Sequence, residues 1–201
     1  MNKSDKPNRE TGRQKTPEEY LQEVTVGHRQ PTNSTVYLAP YDPNWPSQFL
    51  RLEVRVRQAL GDKVLNLEHV GSTSIEGLSA KPIIDMLLVV SDSADEDAYV
   101  PYLESQGFVL RIREPDWHEH RMLKGGDIKA NLHVFSEGCQ EVKRMLTFRD
   151  WLRTHDDDKE LYEKRKHHLA RQTWKYTQHY ADAKAEVVEE ILSRAMDEAK
   201  P

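Results

Sequence analysis

The chain has 201 residues, of which 31% are charged and 37% hydrophobic, and its formal net charge is −5. This length and composition are typical of one globular domain, and the acidic balance argues against general binding to nucleic acid or anionic membranes. No apolar run reaches the roughly 18 residues that span a bilayer, and residues 1–15 lack the apolar core of a secretory signal. With Cys139 as the sole cysteine, no internal disulfide can form. We therefore expect a soluble cytoplasmic protein that partners neither nucleic acid nor a membrane.

The first part of the chain predicts a flexible extension followed by the start of an ordered domain. Residues 1–35 are polar with few large apolar side chains, which is typical of a mobile segment with at most one proline-initiated helical turn. The single domain is predicted to cover residues 36–198. Its first predicted elements are a strand at residues 36–38 and an amphipathic helix from about residue 45. Gly61 is the predicted end of that helix.

The remaining segments alternate between strand and helix patterns. Residues 83–90 are apolar on both faces, as expected for a central strand that is covered on both sides. The other predicted elements are strands at 64–70 and 108–112, a helix at 95–105, a hairpin of 118–123 and 128–135, and helices at 142–154, 158–178 and 181–198. Together they predict an α+β fold with a mixed sheet, flanking helices and a helical C-terminal third.

A single carboxylate, Asp85, lies inside the apolar run at 83–90. An acid in such a setting costs several kcal/mol unless a partner offsets the loss of water. As a functional group it would be a metal ligand or a general base at the edge of a cleft. As a structural group it would pair with Lys81 or accept hydrogen bonds from nearby backbone N–H groups. The residues alone leave both interpretations open.

A turn of small residues, Gly71-Ser72-Thr73-Ser74, precedes this strand. The N–H and hydroxyl groups of such a turn can bind a phosphate, but clusters of serine and threonine also cap helices routinely. A strand, a turn, a short helix and a second strand would fold the turn back towards Asp85. That order favours the phosphate-binding hypothesis.

Several histidines are candidates for chemistry. His133 shares the polar face of its strand with Asn131, so it could bind a metal or a substrate proton, or could be a solvated surface histidine. His69 alternates in step with Leu65 and Leu67, so it is predicted to face the core. The segment His118-Glu119-His120 offers further ligands across the hairpin, but as a metal signal it is weak.

The C-terminal third carries many arginine and lysine residues interleaved with aromatic residues. Arg149 and Arg153 are four positions apart on one side of a predicted helix, and their fork geometry suits phosphate or carboxylate groups. Most such charges belong to a solvated helix face. A minority directed at a cleft, with Lys166 among them, would bind an anionic small molecule. Lys81 and Asn131, near Asp85 and His133, are further candidates for ligand binding.

Four stretches of sequence resemble the GrpB family, a group assigned to the nucleotidyltransferase fold. They are V-Y-L-A-P-Y-D-P-N-W-P from Val36, E-H-V-G-S-T-S-I-E-G-L-S-A-K-P-I-I-D from Glu68, N-L-H-V from Asn131 and F-R-D-W-L-R from Phe148. The pairs Tyr162 with Lys166 and Tyr180 with Lys184 complete the resemblance, which covers about residues 36 to 192. The family's domain also occurs fused to dephospho-coenzyme A kinase.

The resemblance implies that Gly71 and Ser72 hold phosphates and that Asp85 is the first acid of a metal-binding pair. Leu87 stands at the position of the second acid, and His133 lies in the segment that would supply a third. One aspartate and one histidine form a poor Mg²⁺ cage and suit Mn²⁺ or Zn²⁺ better. A divalent metal, Mg²⁺, Mn²⁺ or Zn²⁺, is therefore an optional cofactor with Asp85 and His133 as its ligands.

Three functions fit these residues. The first is transfer of a nucleotidyl or phosphoryl group to a small acceptor, with Ser72 and Ser74 on the phosphates and Arg149 and Lys166 neutralising charge. The second is a ligand-binding or regulatory module that kept the cleft without the metal pair. The third is a different small-molecule transferase in the same cleft. In each case the partner is a phosphate- or carboxylate-bearing small molecule, and the oligomeric state stays open.

Overall fold

The structure is a computed structural model that describes residues 16–198. Its strands are β1 (Asn66–Val70), β2 (Ile84–Val90), β3 (Val109–Glu114), β4 (His120–Lys124) and β5 (Ala130–Ser136). Its helices are α1 (Pro17–Val24), α2 (Trp45–Leu60), α3 (Val100–Glu104), α4 (Gln140–Thr154), α5 (Asp156–Ala170), α6 (Thr177–Asp182) and α7 (Ala185–Glu198). Among these helices, none has the length and apolar character needed to cross a bilayer.

The strands form one mixed sheet in the order β1-β2-β5-β4-β3, and four of the helices follow the sheet in sequence. The predicted α+β class with a helical C-terminal third is therefore confirmed. Strand β2 pairs antiparallel with β1 and parallel with β5. The parallel register sets Asp85 beside Asn131 and Leu87 beside His133. Because directly paired residues point to the same face of a sheet, these four side chains share one face.

Helices cover both faces of the sheet. On one face, apolar residues of α2 and α3 pack against alternate residues of β2 and β5, including Met86, Leu88 and Leu132. On the other face, Leu87 and Phe135 pack against residues of α4. Strand β2 is thus buried on both sides, as its continuous apolar sequence predicted.

The amphipathic helix predicted from residue 45 is confirmed as α2, which buries Phe49, Leu52 and Val56. Gly61 ends the helix in a left-handed conformation with φ of 54°, and its N–H donates to the carbonyl of Arg57. The hairpin predicted around residues 125 and 126 is also confirmed, since β4 pairs antiparallel with β5.

The strand predicted at residues 36–38 is wrong. Residues 36–38 form no strand and are only flanked by isolated bridges, from Ser34 to Trp174 and from Ala39 to Ala80. Two of their side chains pack beside Tyr180 in a cluster of the C-terminal helices instead of joining the sheet. The apolar pattern indicates the partial burial of Val36 and Leu38, but these side chains pack on helices instead of a strand, and Tyr37 is exposed.

The long helix predicted at 158–178 is also wrong, because α5 ends at Ala170. Beyond that point Trp174 exchanges backbone hydrogen bonds with Ser34, and its indole donates to the carbonyl of Leu169. These bonds use backbone groups that a continuous helix would need. The helix predicted at 95–105 is similarly reduced to a 3₁₀ turn followed by α3.

Part of the segment predicted as a flexible extension is a packed helix. Helix α1 begins with a capping box between Thr16 and Glu19 and buries Leu21 and Val24. The N–H of Val26 then bonds to a carbonyl of β3, so the segment lies along the outer strand of the sheet. Residues 1–15 of the predicted extension lie outside the described residues.

Candidate functional site

The turn that follows β1 lies directly against Asp85. Gly71 adopts φ of 68° and ψ of −175°, a conformation that is almost exclusive to glycine. A Cβ atom at this position would be only 2.5 Å from Asp85 Oδ2. Residues 72–74 continue as one 3₁₀ turn, in which the Ser74 hydroxyl donates to the Gly71 carbonyl at 2.7 Å. The small-residue turn therefore folds back against Asp85, as predicted.

Asp85 lies beside the Gly71–Ser74 turn, at the end of the sheet that we call the cleft, and about a third of its side chain (32%) is exposed. Asn131 Nδ2 donates to Asp85 Oδ1 at 2.8 Å, and His133 Nε2 lies 4.0 Å from the same oxygen. Burial raises the pKa of Asp85, while the Asn131 hydrogen bond and the nearby charges of Lys81 and Lys184 oppose that shift. The structure therefore brings together the acid, the amide and the histidine that the sequence singled out.

Three lysines converge on this end of the sheet. Lys166 is almost fully buried, at 1% exposure, and its Nζ donates to Ser72 Oγ at 3.4 Å and to the Ser79 carbonyl. Burial, together with the charge of Lys184, lowers the pKa of Lys166 to about 7. Lys81 is within electrostatic range of Asp85 but is not hydrogen-bonded to it, so the direct pairing with Asp85 proposed as its structural role is not formed.

Aromatic rings hold these ammonium groups in place. Lys166 Nζ lies 5.0 Å from the centre of the Tyr162 ring, and Lys184 Nζ lies 4.9 Å from the centre of the Tyr180 ring. Lys81 Nζ lies 5.8 Å from the Tyr180 ring. Lys184 was not among the predicted site residues. The sequence feature that could have identified Lys184 is its spacing of four from Tyr180, which repeats the spacing of Lys166 from Tyr162.

The two predicted arginines lie behind the turn and contact protein groups. Arg149 donates to Glu68 Oε2 at 2.8 Å and to the His69 carbonyl at 3.0 Å. Arg153 donates to the Ser74 carbonyl at 3.0 Å, and both arginines contact Asp150. In this position they support the turn from outside, and their direct contact with a ligand stays a prediction.

Thr73 and His69 are internal supports of the same turn. Thr73 is buried, and its Oγ1 lies 3.0 Å from His69 Nε2. His69 stacks on Phe49 with 4.9 Å between ring centres, and burial lowers its pKa to about 4. The prediction that His69 faces the core is confirmed. Of the small-residue turn, Ser72 is therefore the hydroxyl that contacts a lysine of the cleft.

His133 belongs to a row of side chains that crosses the sheet. Its Nδ1 lies 3.0 Å from His120 Nε2, and His120 Nδ1 lies 2.7 Å from Glu114 Oε2. Burial is the main cause that lowers the pKa of His133 to about 3. The sequence predicts His120 only as a weak metal ligand and does not single out Glu114. The alternation of β4 was a usable signal, since it sets His120 on the face of His133.

The donor set does not fit the two-ion centre that the family resemblance implies. Leu87, at the position of the second acid, is fully buried and packs with Val70 and Phe135. Within residues 16–198, no group of three His, Cys, Asp or Glu side chains is arranged to hold a metal ion. Two ions would need several carboxylate oxygens. A single ion on Asp85 and His133, completed by ligand atoms, stays a prediction.

The protein is of the α+β class, and its candidate site is a glycine-serine turn that lies against one carboxylate of a mixed sheet. The family model described as GrpB protein matches residues 35–194. The chain belongs to the GrpB family.

Relatives of known sequence or structure extend this assignment. A UPF0157 protein of Halalkalibacterium halodurans is 58% identical over 178 residues, covering 89% of this chain and 91% of that protein. The crystal structure of conserved protein GrpB from Enterococcus faecalis gives a TM-score of 0.63 at 29% identity, covering 77% of this chain and 98% of the other. A dephospho-CoA kinase of Mycobacterium tuberculosis is 30% identical over 164 residues, covering 68% of this chain and 40% of the kinase. The matched segment is thus a minor part of that longer enzyme.

Proposed function

We propose that this protein binds a phosphate-bearing small molecule in the cleft between the Gly71–Ser74 turn and the three lysines. We further propose that it transfers a nucleotidyl or phosphoryl group from that molecule to a small acceptor. In this account Lys81, Lys166 and Lys184 neutralise the phosphates, and Ser72 contributes a hydroxyl. Asp85 and His133 flank the reacting group.

The observation that carries the proposal is an excess of positive charge at the cleft, where three lysines lie near two acids, Asp85 and Glu163. None of the three lysines forms an ion pair with a carboxylate of residues 16–198. Lys81 and Lys166 are both partly desolvated, and the pKa of each is lowered chiefly by burial. Gathering three ammonium groups with only the charges of Asp85 and Glu163 nearby is unfavourable in the free protein. An anionic ligand would supply the missing charge.

A non-catalytic ligand-binding or regulatory module is the second candidate, and the burial of Leu87 favours it. A module of this kind would keep the lysine cleft and the turn, while Leu87, at the position of the second acid, is part of the hydrophobic core. Another transferase acting on a small carboxylate would use the same lysines. Both alternatives retain anion binding, so activity on phosphate donors separates them from the first proposal.

Thermal unfolding in the presence of inorganic phosphate, pyrophosphate and nucleoside triphosphates tests the binding proposal. Each compound should be measured alone and with Mg²⁺, Mn²⁺ or Zn²⁺. A ligand at 100 times its dissociation constant adds about 2.7 kcal/mol of stability, which corresponds to roughly 5–10 °C for a domain of this size. If no phosphate compound raises the unfolding temperature under any metal condition, the proposed function is wrong.

Replacing Asp85 by asparagine is expected to leave the fold intact while changing the site. The asparagine Oδ1 can still accept from Asn131, and removing a charge whose pKa is raised by burial should keep or increase the unfolding temperature. In metal-free buffer, pyrophosphate should bind several-fold more tightly, because a negative charge beside the phosphates is gone. Calorimetric titration and thermal unfolding of both proteins check this. A marked loss of stability would instead make Asp85 a structural residue.

A further inference from the structure

A continuous row of hydrogen-bonded side chains runs across the sheet from β3 to the cleft. Glu114 Oε2, His120 Nδ1, His120 Nε2 and His133 Nδ1 follow one another at 2.7 Å and 3.0 Å across the two contacts. The Tyr20 hydroxyl donates to the other oxygen of Glu114 at 2.6 Å. The side chains of Glu114 and His120 are 10% and 5% exposed, so bulk water has little access to these bonds.

When Glu114 is ionised and His120 is neutral, the direction of donation along the row follows from the first group. An ionised carboxylate only accepts hydrogen bonds, so His120 Nδ1 must carry the hydrogen that faces Glu114. A neutral His120 then presents a lone pair on Nε2, and His133 Nδ1 must supply the hydrogen between the two rings. His133 is left with its lone pair on Nε2, the ring nitrogen nearest Asp85.

The opposite order is much less favourable. It would place the lone pair of His120 Nδ1 against a carboxylate oxygen only 2.7 Å away. In the assigned order, His133 Nε2 and Asp85 Oδ1 are both acceptors and share no hydrogen. These two atoms are 4.0 Å apart. That distance exceeds a direct hydrogen bond, and a single donor atom of a ligand could lie within hydrogen-bond distance of both acceptors.

We propose that Glu114 and His120 are positioning residues that hold His133 in its Nδ1-protonated tautomer, so that Nε2 accepts a hydrogen bond from a hydroxyl or amine of the acceptor substrate. The identity of the acceptor rests on the proposed function, whereas the tautomer is a property of the ligand-free protein. The row also explains why a histidine and a glutamate on two further strands are buried behind His133.

Two-bond ¹H–¹⁵N correlation spectra of the histidine rings, recorded at neutral pH without ligand, test the tautomer. In the wild-type protein, His133 should show a protonated Nδ1 and an unprotonated Nε2. An Nε2-protonated His133 would overturn the proposal. Because the wild-type spectrum alone decides this point, the test does not depend on the folding of any variant.

The Glu114→Gln variant tests the role of the carboxylate. Its carboxamide can donate to His120 Nδ1, which would reverse both rings and move the hydrogen of His133 to Nε2 in a large fraction of molecules. The matched control is Tyr20→Phe, which removes one donor to Glu114 but keeps the carboxylate and should leave the tautomer unchanged. An unchanged tautomer in Glu114→Gln, or an equal change in the control, would overturn the proposal. A failure of phosphate binding would leave these spectra unaffected and would refute only the proposed function.

Discussion

Replacing Gly71 by alanine is expected to lower the free energy of unfolding by about 2–4 kcal/mol and to abolish ligand binding. Two effects add at this position. The backbone conformation, with φ of 68° and ψ of −175°, is strained for any residue with a side chain. The new methyl group would also lie 2.5 Å from Asp85 Oδ2, so either the turn or the carboxylate must move.

Gly77→Ala is the matched control for this prediction. Gly77 has φ of 78°, but a Cβ atom there would meet no other atom within 4 Å. Its replacement should therefore cost only the backbone strain, about 1–2 kcal/mol, and should leave ligand binding intact. Urea unfolding and pyrophosphate titration of both variants measure the difference. Equal losses of stability and of binding would show that the contact between the turn and Asp85 is unimportant.

Replacing Lys166 by methionine is expected to weaken pyrophosphate binding by about 10–100-fold, the usual value of one lost charge-assisted hydrogen bond. Stability should change little, because methionine avoids burying a charge but also removes the Lys166 donor to the Ser79 carbonyl. Lys164→Met is the control, since Lys164 lies on the same helix, is 70% exposed and pairs with Glu160. Similar losses of affinity in both variants would contradict a specific role for Lys166.

The same lysine should make anion binding depend on pH. Lys166 binds an anion in its protonated form, and its pKa is lowered to about 7 by burial and by Lys184, against the opposing charge of Glu163. Affinity should therefore be full below pH 7 and should fall as the pH rises above it. Calorimetric titrations of the wild-type and Lys166→Met proteins across this range check the sign. The ionisation of pyrophosphate affects both proteins alike, so the difference between the two curves reports on Lys166.

Local sequence patterns predicted the elements that form the sheet and the site. The apolar run at 83–90 specified a central strand, and the Gly-Ser turn before it specified a close return to Asp85, since both features depend on neighbouring residues alone. The fold errors arose where the partner lies far away in sequence. The apolar residues of 36–38 pack on the C-terminal helices, and the helix predicted at 158–178 stops where the chain meets Ser34.

The site was predicted incompletely for a related reason. Asp85, Asn131 and His133 are grouped by the register of one parallel strand pair, which the alternation of their strands indicated. Arg149 and Arg153 had the spacing of ligand-binding residues, but which groups they meet depends on how α4 packs against β1 and the turn. Glu114 and His120 come from the outer strands, so their alignment with His133 required the complete strand order.

The most direct test of the central claim is to locate bound pyrophosphate by backbone ¹H–¹⁵N chemical shifts of the labelled protein. We predict that the largest changes lie at residues 71–74, Ser79 and Lys166, and that Lys166→Met needs about 10–100-fold more pyrophosphate to reach the same changes. An open groove of about 750 Å³ between α4 and α7, lined by residues such as Leu146 and Ala195, is the internal reference and should not respond. Changes confined to that groove, or no change at millimolar pyrophosphate, would contradict an anion site at the Gly71–Ser74 turn.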